Sequence, residues 1–219
     1  MSHVLEPQEP TVLSVRRIPA AADALLVGYG ADPSKHRSLG LITCDQDDAL
    51  YVALDEATKH ANVDVVLARS FYAGAGNASG PISGEILGVL AGPNPDEVEE
   101  GLKRALDCLQ HDACFYAADP TGETSVFPHV ITSLGRYLSS EAGLSEGDAM
   151  ADLVAPPMEG TLALDAALKA ADVRVVKIFT PPTETNFACA WLTGSLADCE
   201  AAAVAYARTV VDVARNPKG

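Results

Sequence analysis

Apolar residues recur along this chain in two rhythms. Val-rich stretches, VDVVLARSF from Val63 and VRVVKIF from Val173, have the branched composition that favours strands. SGEILGVLAG from Ser83 and FACAWLTG from Phe187 are predicted as the next strands in order. Two further pairs lie upstream: TVLSVRR with SLGLITC, and CFYAAD with the segment around FPHVITSL. The other rhythm is helical. DEVEEGLKRALDCL and LADCEAAAVAYARTVVDVA place apolar residues three and four apart, as a helix with one buried face requires. Their starts are marked by Asn94-Pro95 with Asp96 and Glu97, and by Ser195 with Asp198 three residues on. Leu54 to Ala61 and Leu164 to Ala171 are also predicted helices, each with an Asp near its start that would cap free N–H groups.

The two sets of elements are copies of one another. ALDEATKHANVDVV from Ala53 lies over ALDAALKAADVRVV from Ala163 without a gap, nine of fourteen positions identical, at an offset of 110. LAGPNPDEVE from Leu90 lies over LTGSLADCEA from Leu192 at an offset of 102, so the first copy carries about eight extra residues between these landmarks. The predicted architecture is α/β, of the α+β kind, in two repeated domains, residues 1–109 and 110–219. Each domain is a small, largely antiparallel sheet flanked by helices. The seam has no Pro/Gly/Ser linker, which predicts halves that pack tightly.

Charge narrows the partners. Fifteen Lys and Arg face thirty Asp and Glu, a formal charge of -15, which repels phosphate backbones and anionic lipid surfaces. Neither nucleic acid nor membrane is an expected partner; small cations and proteins with basic patches are. Cys44, Cys108, Cys114, Cys189 and Cys199 form an odd set without C-x-x-C spacing, as in a reducing cytoplasm. The start, MSHVLEPQEPTVLSVRR, lacks the basic opening and apolar core of a secretory signal, and no apolar run approaches membrane-spanning length. A cytosolic location is expected.

Longer stretches carry a resemblance. RSLGLITCDQDDALYVALDEATKHANVDVVLARSFYAGAGN, SGEILGVLAGPNP, YLSSEAGLSEGDAMADLVAPPMEGTLALDAALKAADV, PPTETNF and the terminal VARNP resemble the L-type (EutL-type) shell proteins of ethanolamine-utilisation bacterial microcompartments. The likeness runs from about Val12 to Pro217 and departs at the extreme N-terminus and in the detail of GNASGPISG. It implies two tandem, circularly permuted microcompartment (BMC) domains and a homotrimer forming a flat pseudo-hexagonal tile. Such a tile would sit in a shell with other microcompartment shell proteins, with a gated central pore and smaller subunit pores. The duplication fits, because two similar domains per chain convert a six-fold arrangement into a closed trimer.

Three candidate sites emerge. AGAGNASGPISGE, residues 73–85, lacks the G-x-x-x-x-G-K-[ST] pattern and the lysine that a phosphate cradle needs. By composition it is a surface loop. With the resemblance, Ala73, Gly74, Ala75, Gly76, Asn77, Ala78, Ser79 and Gly80 become the lining of a pore that opens and closes, since glycine backbone changes conformation at little steric cost. The second candidate is acidic. DQDD, SGE and PPTETNF match, by resemblance, an ethanolamine pocket made by Asp47, Asp48, Glu85, Thr183, Glu184 and Thr185 with the backbone at Phe115. Ethanolamine at neutral pH is a primary ammonium, so carboxylates suit it; taken singly, each acid is one of thirty on a solvated face. The third candidate is His129 with Glu159, which the resemblance places where zinc can be held. No cofactor is otherwise required, and one His and one Glu leave a tetrahedral shell incomplete.

The chain has no G-x-S-x-G, no H-E-x-x-H and no dinucleotide fingerprint. A non-enzymatic role is expected. The rival is a soluble sensor binding a small amine at the seam of its α/β units. A sensor stays a discrete oligomer, whereas a shell tile forms sheets as concentration rises.

Overall fold

The computed structural model describes residues 5–71 and 79–218. The chain divides into two compact units. The first comprises Pro10–Ala113 together with Gly135–Glu141; the second comprises the stretch ending at Glu9, Cys114–Leu134, and the chain from Ala142 onward.

In the first unit, β2 (Val12–Ile18), β3 (Ser38–Cys44), β5 (Ile86–Gly92) and β4 (Asp64–Ser70) form one sheet in the order β2-β3-β5-β4, every pair antiparallel. Helices α2 (Asp47–His60) and α3 (Pro95–His111) pack together against one face of this sheet, and the short α1 (Asp23–Gly28) inserts Leu26 into the apolar cluster around Leu39 and Val89. The buried positions of α3, Val98, Gly101, Leu102, Ala105, Cys108 and Leu109, follow the predicted helical stripe. Its start is also as predicted: Asn94 accepts the Glu97 N–H at 3.0 Å and Pro95 occupies the first turn, where a missing N–H costs nothing.

The second unit repeats the arrangement and extends it. Strands β7 (Ser125–Ile131), β8 (Met150–Ala155), β10 (Ala188–Thr193) and β9 (Arg174–Phe179) pair in the same order as β2-β3-β5-β4. Two short strands, β6 (Phe115–Ala117) and β1 (Glu6–Gln8), continue the sheet beyond β7. Helices α5 (Pro157–Ala170) and α6 (Leu196–Arg215) take the places of α2 and α3. Ser195 caps α6, accepting the Asp198 N–H at 3.2 Å. Its inner stripe, Cys199, Ala202, Ala203, Tyr206, Val210 and Val211, closes the core with Leu153 and Leu192.

Two expectations change. Helix α2 begins at Asp47, well ahead of Leu54, because Ala49, Leu50 and Ala53 already carry its buried stripe. Asp55 is therefore mid-helix, and does not cap its own helix; the same holds for Asp165 in α5. And MADLVA, which the hydrophobic pattern does not mark as a strand, is β8, a central strand buried along its whole length. It is the counterpart of β3: each is the strand that hands over directly to the repeated helix. Helix α4 (Arg136–Ala142), between β7 and β8, and α1, between β2 and β3, are likewise unmarked by that pattern.

Candidate functional site

The handover from β3 to α2 gathers carboxylates. Asp45 comes directly after β3 and its Oδ1 accepts the Thr11 N–H at 2.6 Å. Asp47 opens α2 and is buried; its Oδ2 accepts the Ser70 hydroxyl at 2.8 Å, and its Oδ1 accepts the Asp48 N–H at 2.9 Å. Ser70 is held in turn, its N–H donating to the Tyr51 hydroxyl at 3.1 Å. Asp48, the next residue of the first turn, is half-buried.

Glu85 arrives from the other side of the same corner. Its N–H donates to the Cys44 carbonyl at 2.8 Å, and its own carbonyl accepts the Phe71 N–H at 2.8 Å. Gly84 makes this approach attainable. It has φ +62°, and a Cβ there would lie 2.3 Å from the Cys44 carbonyl oxygen, so no other residue fits without moving backbone. SGE is thus a constructed turn that presses a carboxylate against the end of β3.

The electrostatics arise from crowding. Burial, then the charges of Asp47 and Asp45, push Glu85 up to about 7. Burial also raises Asp47, opposed by the Ser70 hydroxyl and the Asp48 N–H. Tyr51 is raised by burial and by Asp47, and burial holds the Cys44 thiol up at about 12, far from a reactive thiolate. Among the described residues, no lysine or arginine pairs with Asp47 or Glu85. Like charges without a counter-ion are what an incoming cation relieves.

The remaining residues of the expected pocket belong to the second unit. Phe115 sits in an aromatic group, 4.9 Å from Phe127 and 5.9 Å from Phe187 between ring centroids. In the loop from β9 to β10, the Thr183 hydroxyl donates to the Phe187 carbonyl at 2.8 Å and the Asn186 N–H donates to the Thr183 carbonyl at 3.2 Å. The Thr183 proton is therefore committed to closing its own loop. Glu184 is exposed and Thr185 half-buried.

Of the pore-loop residues, Ala73, Gly74, Ala75, Gly76, Asn77 and Ala78 lie outside the described residues. Ser79 is exposed, with its hydroxyl 2.9 Å from that of Ser83, and the Gly80 carbonyl accepts the Ser83 N–H at 3.1 Å.

His129 and Glu159 both lie in the second unit, His129 on β7 stacked on Phe127 at 5.3 Å and Glu159 in the first turn of α5. Among the described residues, neither belongs to a group of three ligand atoms within 4.8 Å of one another. The residues that sequence reasoning passed over are Asp45, Tyr51, Ser70 and Gly84. Asp45 and Gly84 stand in plain view within DQDD and SGE, whereas Ser70 and Tyr51 carry no sequence signal.

Known proteins share this chain's sequence and fold. The family model described as the BMC domain matches residues 38–118. The bacterial microcompartment shell protein EutL of Clostridium perfringens is 52% identical over 210 residues, spanning 96% of each chain. EutL of Escherichia coli is 50% identical over 95% of this chain and 94% of its own. The crystal structure of EutL from Clostridium perfringens superposes with a TM-score of 0.95 over 98% of this chain and 97% of that one, and EutL from Leptotrichia buccalis, 46% identical, does so with 0.95 over 98% and 99%. A trimeric shell protein, PduB, is 18% identical with a TM-score of 0.74 over 94% of this chain and 89% of its own, and shares the fold. Among the described residues no helix is long and apolar enough to cross a membrane.

Proposed function

The chain belongs to the EutL family of bacterial microcompartment shell proteins, and from that premise we propose that three copies close into a pseudo-hexagonal tile that binds or passes small ammonium compounds. The observation that carries the tile is the duplicated sheet: β2-β3-β5-β4 and β7-β8-β10-β9 have one order and one set of directions. Two like units per chain let a repeated contact close after three chains. The tile acts by assembly and recognition, without bond-making chemistry, and its other partners are further shell proteins.

The corner of Asp45, Asp47 and Glu85 supports the ligand class. A primary ammonium brings one positive charge and three N–H donors to carboxylates that have hydrogen-bond capacity but no counter-ion. Ethanolamine adds a hydroxyl, and the ligand set takes in Asp48 and, from the family resemblance, Phe115, Thr183, Glu184 and Thr185. Gating of the central pore by residues 73–80 rests on the family resemblance, and a stretch rich in glycine and alanine, without Lys or Arg, suits a lining that changes conformation.

Native mass measurement followed by negative-stain microscopy tests the tile. A mass of three chains, and two-dimensional sheets as concentration rises, are expected. A chain that stays single at every concentration overturns the reading. A trimer that never forms sheets returns it to a discrete amine-binding sensor.

A further inference from the structure

The two sheets end differently at the matching edge. In the second unit β7 is not the last strand: β6 pairs with its start, Tyr116 with Val126 and Ala117 with Ser125, and β1 pairs with β6 in turn. These added strands carry apolar side chains over the end of α6. Leu5, just before β1, joins Tyr116 and Ala118 on the cluster of Tyr206, Val210 and Val211, and Val130 of β7 packs there too. Ala207 and Val211 are left only 8% exposed.

In the first unit the same edge is bare. Strand β2 ends its sheet, and among the described residues no strand pairs with its outer side. Between it and α3 runs an open groove of about 840 Å³, lined by Val15, Arg17, Pro19, Leu102, Lys103 and Leu106 and reaching Gln110. Counted from the matched caps Asn94 and Ser195, Leu106 and Gln110 hold the places of Ala207 and Val211. Counted from the strand ends Ile18 and Ile131, Arg17 holds that of Val130. Leu106 is half-buried and Gln110 exposed, since nothing in this unit stands where β6 stands in the other. The floor is apolar, Val15 with Leu102 and Leu106, and the rim is basic.

That rim selects a partner. Arg16, Arg17 and Lys103 border the groove with two carboxylates, Glu99 and Asp107. Arg17 pairs with Glu99, Lys103 lies 3.9 Å from Glu100, and Arg16 donates from Nη1 to the Val15 carbonyl at 2.8 Å. Three cations against two acids, in a chain with twice as many acids as bases, favour an incoming segment that carries carboxylates.

We propose that the β2 edge and this groove form a docking site for an extended acidic segment of a partner protein, added to the sheet as β6 is added to β7. Strand addition occupies the N–H and C=O groups of an edge, and alternate side chains of the added strand enter the adjoining groove. Those side chains would lie on Val15, Leu102 and Leu106 as Tyr116 lies on α6, while carboxylates between them meet Arg16 and, at the rim, Lys103. The groove follows β2 from Val15 to Pro19, so the incoming segment is longer than β6. The site lies within one unit and needs no second copy.

Fluorescence anisotropy on the full chain tests this, with a labelled synthetic peptide in which glutamate alternates with valine and tyrosine. Saturable binding is expected. Lys103→Glu and, separately, a central proline in the peptide are each expected to weaken it on the order of tenfold, and lysine in place of glutamate to abolish it. Leu106→Trp, which fills the groove, is expected to abolish binding as well; where it misfolds, Lys103→Glu, at an exposed position, carries the comparison. Hydrogen exchange read by mass spectrometry is expected to slow in β2 on binding and to stay unchanged in β7. Equal binding of the proline-interrupted peptide, or unchanged exchange in β2, means adsorption to surface charge and overturns strand addition. No saturable binding overturns the site and leaves Arg16 and Arg17 as guards that keep the edge unpaired.

Discussion

The two units use one backbone plan and put different chemistry at the same corner. Gly84 and Asn186 each stand two residues before a central strand, and each has a left-handed backbone, with φ of 62° and 64°. The next residue is Glu85 in one copy and Phe187 in the other. The helix entered from the neighbouring strand opens with Asp47 and Asp48 in one copy, and with Pro157 and Met158 in the other. One corner therefore concentrates buried negative charge, and the other builds an apolar group of Phe115, Phe127 and Phe187. Duplication preserved the geometry that delivers a side chain and released the choice of side chain.

The largest way to break this comparison is at the delivering residue. Gly84→Ala places a methyl group on the Cys44 carbonyl in a left-handed conformation, and is expected to cost about 3 kcal/mol in denaturant unfolding. Asn186→Ala, at the matching position, is expected to cost about 1 kcal/mol, the ordinary penalty of that backbone region. Equal effects would mean that the first corner is not built around its glycine. The repeated aspartates come next. Asp55→Ala removes the acceptor of two buried N–H groups and is expected to lower stability by about 2 kcal/mol, while Asp165→Ala removes only an exposed ion pair with Lys169 and is expected to cost less than about 0.5 kcal/mol.

The fold was legible where local chemistry is strong. Asn94 and Ser195 announce their helices because each side chain answers a free N–H, and the pairing of TVLSVRR with SLGLITC comes from two adjacent β-rich stretches. MADLVA escaped because a short strand buried on both faces shows no alternation. Asp55 misled because a carboxylate in a helical stretch looks like a cap for its own helix, when it caps one eighty residues away. At the site, the carboxylates were visible as DQDD and SGE, but their selection from thirty acids came through family resemblance. Ser70, which holds Asp47, was invisible because its role depends on the β4 register, not on its neighbours in sequence.

A smaller effect sharpens the electrostatic contrast. Glu85 is held at about 7 when folded, against an ordinary value of 4.5. Between those values the unfolded chain loses its proton first, so the folded state loses stability as pH rises through this window and levels off above it. Asp47, also raised, adds in the same direction. Glu85→Gln is expected to flatten the fall of melting temperature between about pH 5 and pH 7.5, and Phe187→Leu to leave that slope unchanged. A Glu85→Gln profile parallel to wild type would remove the crowded-carboxylate description.

Calorimetric titration of ethanolamine into the assembled protein at about pH 6 and pH 8 tests most directly whether the first corner receives a cation. The ammonium is protonated throughout while Glu85 ionises between the two, so binding is expected to be tighter at the higher pH, and Glu85→Gln to weaken it on the order of tenfold and abolish the pH dependence. No binding heat at millimolar ethanolamine, or a Glu85→Gln titration that overlays wild type at both pH values, would contradict it.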